Sequence, residues 1–141
     1  MDVKARYSNG VYARKIEALN NEALNKAISA GISRAAKFKS EWQSVDINDV
    51  VGKFAPNTEP ELVNGKIIFK NKETNIWVVT DVGGGYLRIQ NKNLTNTKRC
   101  YLNLDGSNAS NYIDKNGKVH GRSNAEYNKA THFRIKKRGE M

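Results

Sequence analysis

The densest run of reactive side chains is Lys118-Val-His120-Gly-Arg122-Ser-Asn-Ala-Glu126-Tyr127-Asn-Lys129-Ala-Thr131-His132-Phe133-Arg134, which holds both histidines of the chain. Cleaving RNA without a metal needs a group that takes the 2′-hydroxyl proton, another that protonates the leaving 5′-oxygen, and a cation for the crowded phosphorane. Histidine suits either proton role, because an ordinary pKa of about 6.5 keeps both forms accessible near neutrality. His120 and His132 are therefore the candidate acid and base, with Glu126 an alternative base if one histidine alone is catalytic. Arg122 and Lys129 are candidates for the charge, and Tyr127 and Thr131 for orienting a phosphate or holding a base. Arg88, Lys118, Arg134 and Lys136 form the expected RNA-binding set around them.

Other chemistries fail on spacing. Gly83-Gly84-Gly85 lies between two strand patterns and not before a helix, so it reads as a turn and supports neither a P-loop nor a dinucleotide fingerprint. No His-Glu-x-x-His, EF-hand or paired-cysteine pattern occurs, and a dedicated metal site is not expected. Cys100 is the single cysteine, which rules out an intrachain disulfide and places a thiol for packing in a strand pattern. No cofactor is expected.

These side chains need elements to position them. From Val11 to Trp42 apolar residues recur at helical spacing (Ile16, Leu19, Ala23, Leu24, Ala27, Ile28, Ile32, Ala35, Phe38), with interruptions at Asn20-Asn21 and Gly31 that favour two helices. Residues 1–10 read as a leader or linker. Residues 11–141 read as a single domain, with a helical part over 11–45, a loop over 46–64 and a sheet over 65–138. Pro56 and Pro60 amid Asn, Thr and Glu motivate the loop. Lys66–Lys70, Asn75–Asp81, Tyr86–Asn91 and Lys98–Leu104 are short runs with strand composition, and Asn116-Gly117 is a strong hairpin signal. Thr131–Lys136 makes a last strand. Helices followed by strands predict an α+β fold, with N-terminal helices packed on one face of a twisted antiparallel β-sheet. Strand alternation sends Leu87 and Ile89 to that face and Tyr86, Arg88 and Gln90 to the other, which is expected to stay open. Phe133 and Ile135 point inward, so His132, Arg134 and Lys136 point outward.

Charge supports a polyanionic partner. The chain carries 24 Lys and Arg against 14 Asp and Glu, for a net +10. Residues 1–62 hold nine basic and eight acidic side chains and residues 63–141 hold fifteen and six, so the second part carries +9. Such a surplus attracts phosphates through its field and through counterion release. No apolar run approaches the length of a membrane span.

The patterns Tyr101-Leu-Asn-Leu-Asp-Gly, Asn116-Gly-Lys118, Gly121-Arg122-Ser and Thr131-His132-Phe133, with helices preceding an antiparallel sheet, resemble the toxin tips of bacterial polymorphic toxins of the contact-dependent growth inhibition type. The architecture also resembles the barnase, EndoU, colicin and RelE group of ribonucleases, over about residues 11 to 138. The resemblance implies a monomeric ribonuclease toxin, with transfer RNA the preferred substrate and an acidic cognate immunity protein as partner. It also implies a larger secreted or cell-surface effector that acts in the cytoplasm of a target bacterium. His132, flanked by Lys129 and Thr131, is the residue it marks as active-site-like. Two other classes use the same charge. A non-catalytic nucleic-acid-binding domain would stack bases on Tyr86, Tyr101 and Tyr127, and a DNase toxin would require a metal held by carboxylates and histidines.

Overall fold

The computed structural model describes residues 10–19, 25 and 42–137. Residues 1–9 of the expected leader over 1–10 and most of the helical run between Asn20 and Glu41 lie outside the described residues.

Helix α1 spans Val11–Glu17 and buries Ala13 and Ile16. Gly10 precedes it and has no side chain with which to cap it. The cap comes instead from Asn48, whose Oδ1 accepts the N–H groups of Tyr12 at 3.0 Å and Ala13 at 3.1 Å. These are two of the donors a helix start leaves unpaired. A Cβ at Gly10 would collide with the same carboxamide, so the glycine makes room for the remote cap. Strand β1 (Gln43–Val45) and helix α2 (Ile47–Phe54) follow.

Helix α2 corrects the loop expected over 46–64, as does strand β2 (Pro60–Val63). Asp46 caps α2 by accepting from the Asn48 N–H at 2.8 Å. Ile47, Val50, Val51 and Phe54 are all buried. That is the i, i+3, i+4, i+7 spacing of one helical face. Eight residues that include Gly52 and two adjacent valines are poor helix formers alone, and burial against the sheet overrides propensity.

The remaining strands are β3 (Lys66–Asn71), β4 (Ile76–Asp81), β5 (Tyr86–Asn91), β6 (Asn111–Ile113), β7 (Val119–Gly121) and β8 (Phe133–Ile135), with helix α3 (Asn124–Thr131) before β8. The main sheet runs β1-β8-β5-β4-β3-β2, antiparallel except for the parallel β1–β8 pair. The α+β expectation holds. The run Lys98–Leu104 forms bridges at Tyr101 and Leu102 and no full strand. Asn116-Gly117 does sit in a hairpin turn, between β6 and β7, with Gly117 at φ 81°. Helix α3 replaces what the sequence suggested as sheet over that stretch. A capping box starts it: Ser123 Oγ accepts from the Glu126 N–H at 3.2 Å, and Glu126 Oε1 accepts from the Ser123 N–H at 2.8 Å.

One face of the main sheet packs against α1 and α2. Ile67, Phe69, Val78, Leu87, Ile89, Phe133 and Ile135 form this core with Ile16, Ile47, Val51 and Phe54. The register sets out the opposite face in rows. One row reads Asp81, Tyr86, Arg134 and Ser44 across β4, β5, β8 and β1, with Lys66 of β3 beside Asp81 when the β3–β4 register is continued by one residue. Continuing each register by one residue where a strand has ended, the next row reads Ile68, Val79, Arg88, His132 and Trp42. A third reads Lys70, Trp77, Gln90 and Tyr101. This face is not the bare surface expected, since Ile68, Val79, Trp42 and Tyr86 are all under 9% exposed. It carries polar chemistry set among buried apolar side chains.

Candidate functional site

Arg88 stands in the middle of the second row. Its guanidinium carbon lies 3.4 Å from the centroid of the Tyr101 ring, a stacked cation–π contact. Nη2 donates to Thr131 Oγ1 at 2.9 Å, and Thr131 Oγ1 in turn donates to the Tyr127 carbonyl at 2.9 Å. Thr131 is fully buried, so the arrangement is rigid. Arg88 Nε is buried and has no hydrogen-bond partner among the described residues. No described carboxylate pairs with this charge. Burial pushes the guanidinium below its usual pKa, partly offset by the surrounding tyrosines, yet arginine stays protonated under any physiological condition. A desolvated cation without a counter-ion is costly by itself. It is also placed to meet an anion, with no carboxylate among the described residues to displace.

His132 is the junction between α3 and β8. Its Nδ1 lies 2.6 Å from the Asn128 carbonyl oxygen. A peptide oxygen only accepts, so Nδ1 carries the proton and the neutral ring leaves Nε2 as a free base. The ring stacks on Trp42 at 5.0 Å with 19° between planes, and Tyr86 lies 4.9 Å away. Burial lowers the His132 pKa to about 4, with the charges of Arg88 and then Lys66 acting in the same direction and the Asn128 contact and Asp81 opposing. His132 is therefore neutral at pH 7. Arg134, two residues on, donates from Nε to Ser44 Oγ at 3.0 Å.

The other sequence-derived candidates fall into different places. Tyr127 is buried, and its hydroxyl accepts the Tyr101 N–H at 2.8 Å. Burial raises its pKa further from neutrality. It holds the Tyr101 backbone, and with it the ring under Arg88. Thr131 likewise positions Arg88, with its hydroxyl bonded on both sides. Arg122 Nη1 donates to Asn103 Oδ1 at 2.7 Å and the Ala109 carbonyl at 3.0 Å, and its guanidinium covers Tyr112. Glu126 is occupied in the capping box, which also lowers its pKa. Lys129 is exposed in the last turn of α3.

His120 belongs to the two-stranded β6–β7 sheet and shares no partner with His132. It stacks on Tyr112 at 5.2 Å and contacts Asp114 Oδ2 through Nε2 at 2.7 Å. That contact, with the Lys118 and Asn116 N–H groups, holds the Asp114 carboxyl below its usual range. Lys118 is exposed on the same hairpin. Lys136 departs from the expected row. Its N–H bonds the Val45 carbonyl at 2.8 Å, and the residue lines a cleft beside Asp49 and Lys53 of α2.

Sequence reasoning missed Trp42, Lys66, Asp81 and Tyr101 as neighbours of His132 and Arg88. The alternation of β5 was visible, but the rows depend on cross-strand register, and Trp42 lay in a stretch with helical periodicity. Among the described residues no group of His, Cys, Asp and Glu has the arrangement of a metal site, and no helix is long and apolar enough to cross a membrane. No protein-family model, curated protein or solved structure matches the chain.

Proposed function

We propose that this domain is a metal-independent endoribonuclease in which His132 takes the 2′-hydroxyl proton and Arg88 holds the scissile phosphate. The observation that carries the reading is the juxtaposition in one row of a half-buried guanidinium, without a carboxylate partner among the described residues, and a neutral imidazole of defined tautomer. His132 Nε2 accepts the proton, the 2′-oxygen forms its bond to phosphorus, and the bond to the 5′-oxygen breaks as that oxygen gains a proton from solvent. Arg88, with Lys66 nearby, neutralises the phosphorane, a preorganised electrostatic contribution made without reorganising water.

A base with a pKa of about 4 is weaker than the optimum near the working pH. Phosphate offsets part of this. An anion on Arg88 cancels one of the charges that depress the imidazole, so substrate binding moves His132 back toward its ordinary range. The wider reading, from the resemblance, is a toxin tip of a larger exported effector that cuts transfer RNA in a target cell and is neutralised by an acidic immunity protein.

The test is incubation of the domain with total RNA in EDTA. Wild type is expected to cut and leave 2′,3′-cyclic phosphate ends, His132→Ala to lose at least a hundredfold, and His120→Ala to stay within a few-fold. Intact RNA with wild type, or equal cutting by a folded His132→Ala variant, overturns the proposal.

A further inference from the structure

The third row of the same face contains a second arrangement that the reaction itself does not use. Trp77 on β4 is half-buried, and the Nζ atoms of Lys70 and Lys92 each lie 4.7 Å from its ring centroid. The two lysines differ. Lys70 is also tied to Glu61, with 3.6 Å between charged atoms. Lys92 is exposed, and among the described residues its ammonium makes no ion pair and lies only over the indole.

From this geometry we infer that Trp77 is a stacking subsite for an unpaired base of single-stranded RNA, with Lys92 and Lys70 receiving the adjoining phosphate; the inference rests on the ribonuclease reading of Arg88 and His132. Trp77 pairs with Gln90, and Val79 pairs with Arg88. The subsite is thus two residues along the strands from the reacting phosphate, roughly 7 Å at the rise of a strand. That step accommodates the next nucleotide of an extended chain. All these side chains share one face, so one strand of RNA can reach both without crossing the sheet.

The energetics favour exchange of ligand for lysine. An exposed ammonium over an indole is a weak contact, and stacking of a base on an aromatic ring is stronger and indifferent to sequence. A base that lands on Trp77 displaces Lys92, whose ammonium is then free to neutralise a phosphate. The same pairing of aromatic platform and mobile cations is how single-stranded nucleic acid is held without base-specific hydrogen bonds.

The test uses a fluorescein-labelled 2′-O-methyl RNA oligomer, which lacks the nucleophilic hydroxyl and cannot be cut, with binding read by anisotropy. Trp77→Ala should weaken binding by on the order of 5- to 150-fold, Trp77→Phe should retain most of it, and Lys92→Ala should reduce the salt dependence by about one phosphate contact. Binding by Trp77→Ala within twofold of wild type, or equal losses in the Ala and Phe variants, overturns the subsite. If wild type cuts no RNA and the Trp77→Ala loss persists, the subsite stands and the ribonuclease reading falls.

Discussion

Arg88 carries its charge into a half-buried position where Tyr101 covers one face and Thr131 accepts a hydrogen bond from one guanidinium nitrogen. Lysine at this position keeps the charge and loses the planar stack and the forked donors. Arg88→Lys is therefore expected to lower kcat about a hundredfold, the scale seen when one preorganised donor is removed, with circular dichroism unchanged. His132 sets the pH dependence. Its folded pKa of about 4 lies below the ordinary 6.5, so the unfolded chain takes up this proton first as pH falls. The associated stability is complete above about pH 6.5 and declines as the pH drops toward 4. Urea unfolding at pH 7 and pH 5 should show a smaller decrease for His132→Gln than for wild type. In the rate profile of the proposed ribonuclease, the acid limb of kcat/KM reports the free protein and should lie near pH 4, while that of kcat should lie higher, because phosphate bound as proposed would neutralise Arg88. Coincident limbs would refute that electrostatic coupling.

Helix α3 shows how an element can matter more than its length suggests. Its eight residues present the Tyr127 hydroxyl to Tyr101, the Thr131 hydroxyl to Arg88 and the Asn128 carbonyl to His132. A helix this short is marginal in isolation, so the capping box at Ser123 and Glu126 is a main local support. Ser123→Ala should cost about 1 kcal/mol of stability in denaturant unfolding, and its loss of activity should be recovered in part by lowering the temperature. The strands β3, β4 and β5 were legible from alternation and turn residues. Helices α2 and α3 were not, for separate reasons. Val50-Val51-Gly52 has the composition of a strand end, and only burial against the sheet makes Ile47, Val50, Val51 and Phe54 a helical face. In α3 just Tyr127 and Thr131 are buried, so no apolar periodicity announces it. The Ser123-x-x-Glu126 box is the available signal, but the sequence reading gives Glu126 the part of an alternative base.

For the whole molecule, the surplus of positive charge in residues 63–141 predicts RNA affinity that falls linearly in log–log form with salt. The slope should become shallower by about one phosphate in Arg88→Ala, measured with the uncleavable oligomer. Charge, a single cysteine, the α+β class and the placing of Leu87 and Ile89 on one face and Arg88 on the other follow from composition and from the two-residue period of a strand, which are properties of local chain. The meeting of Arg88 with His132, 44 positions apart in sequence, is of another kind. It depends on β8 pairing with β5 in a register where Tyr86 faces Arg134 and Leu87 faces Phe133, and on β1 bringing Trp42 alongside. A slip of one residue would turn His132 into the core. Packing of Phe133 and Ile135 against the helices excludes that slip, so a buried apolar contact on one face decides which imidazole stands beside the Arg88 guanidinium on the other.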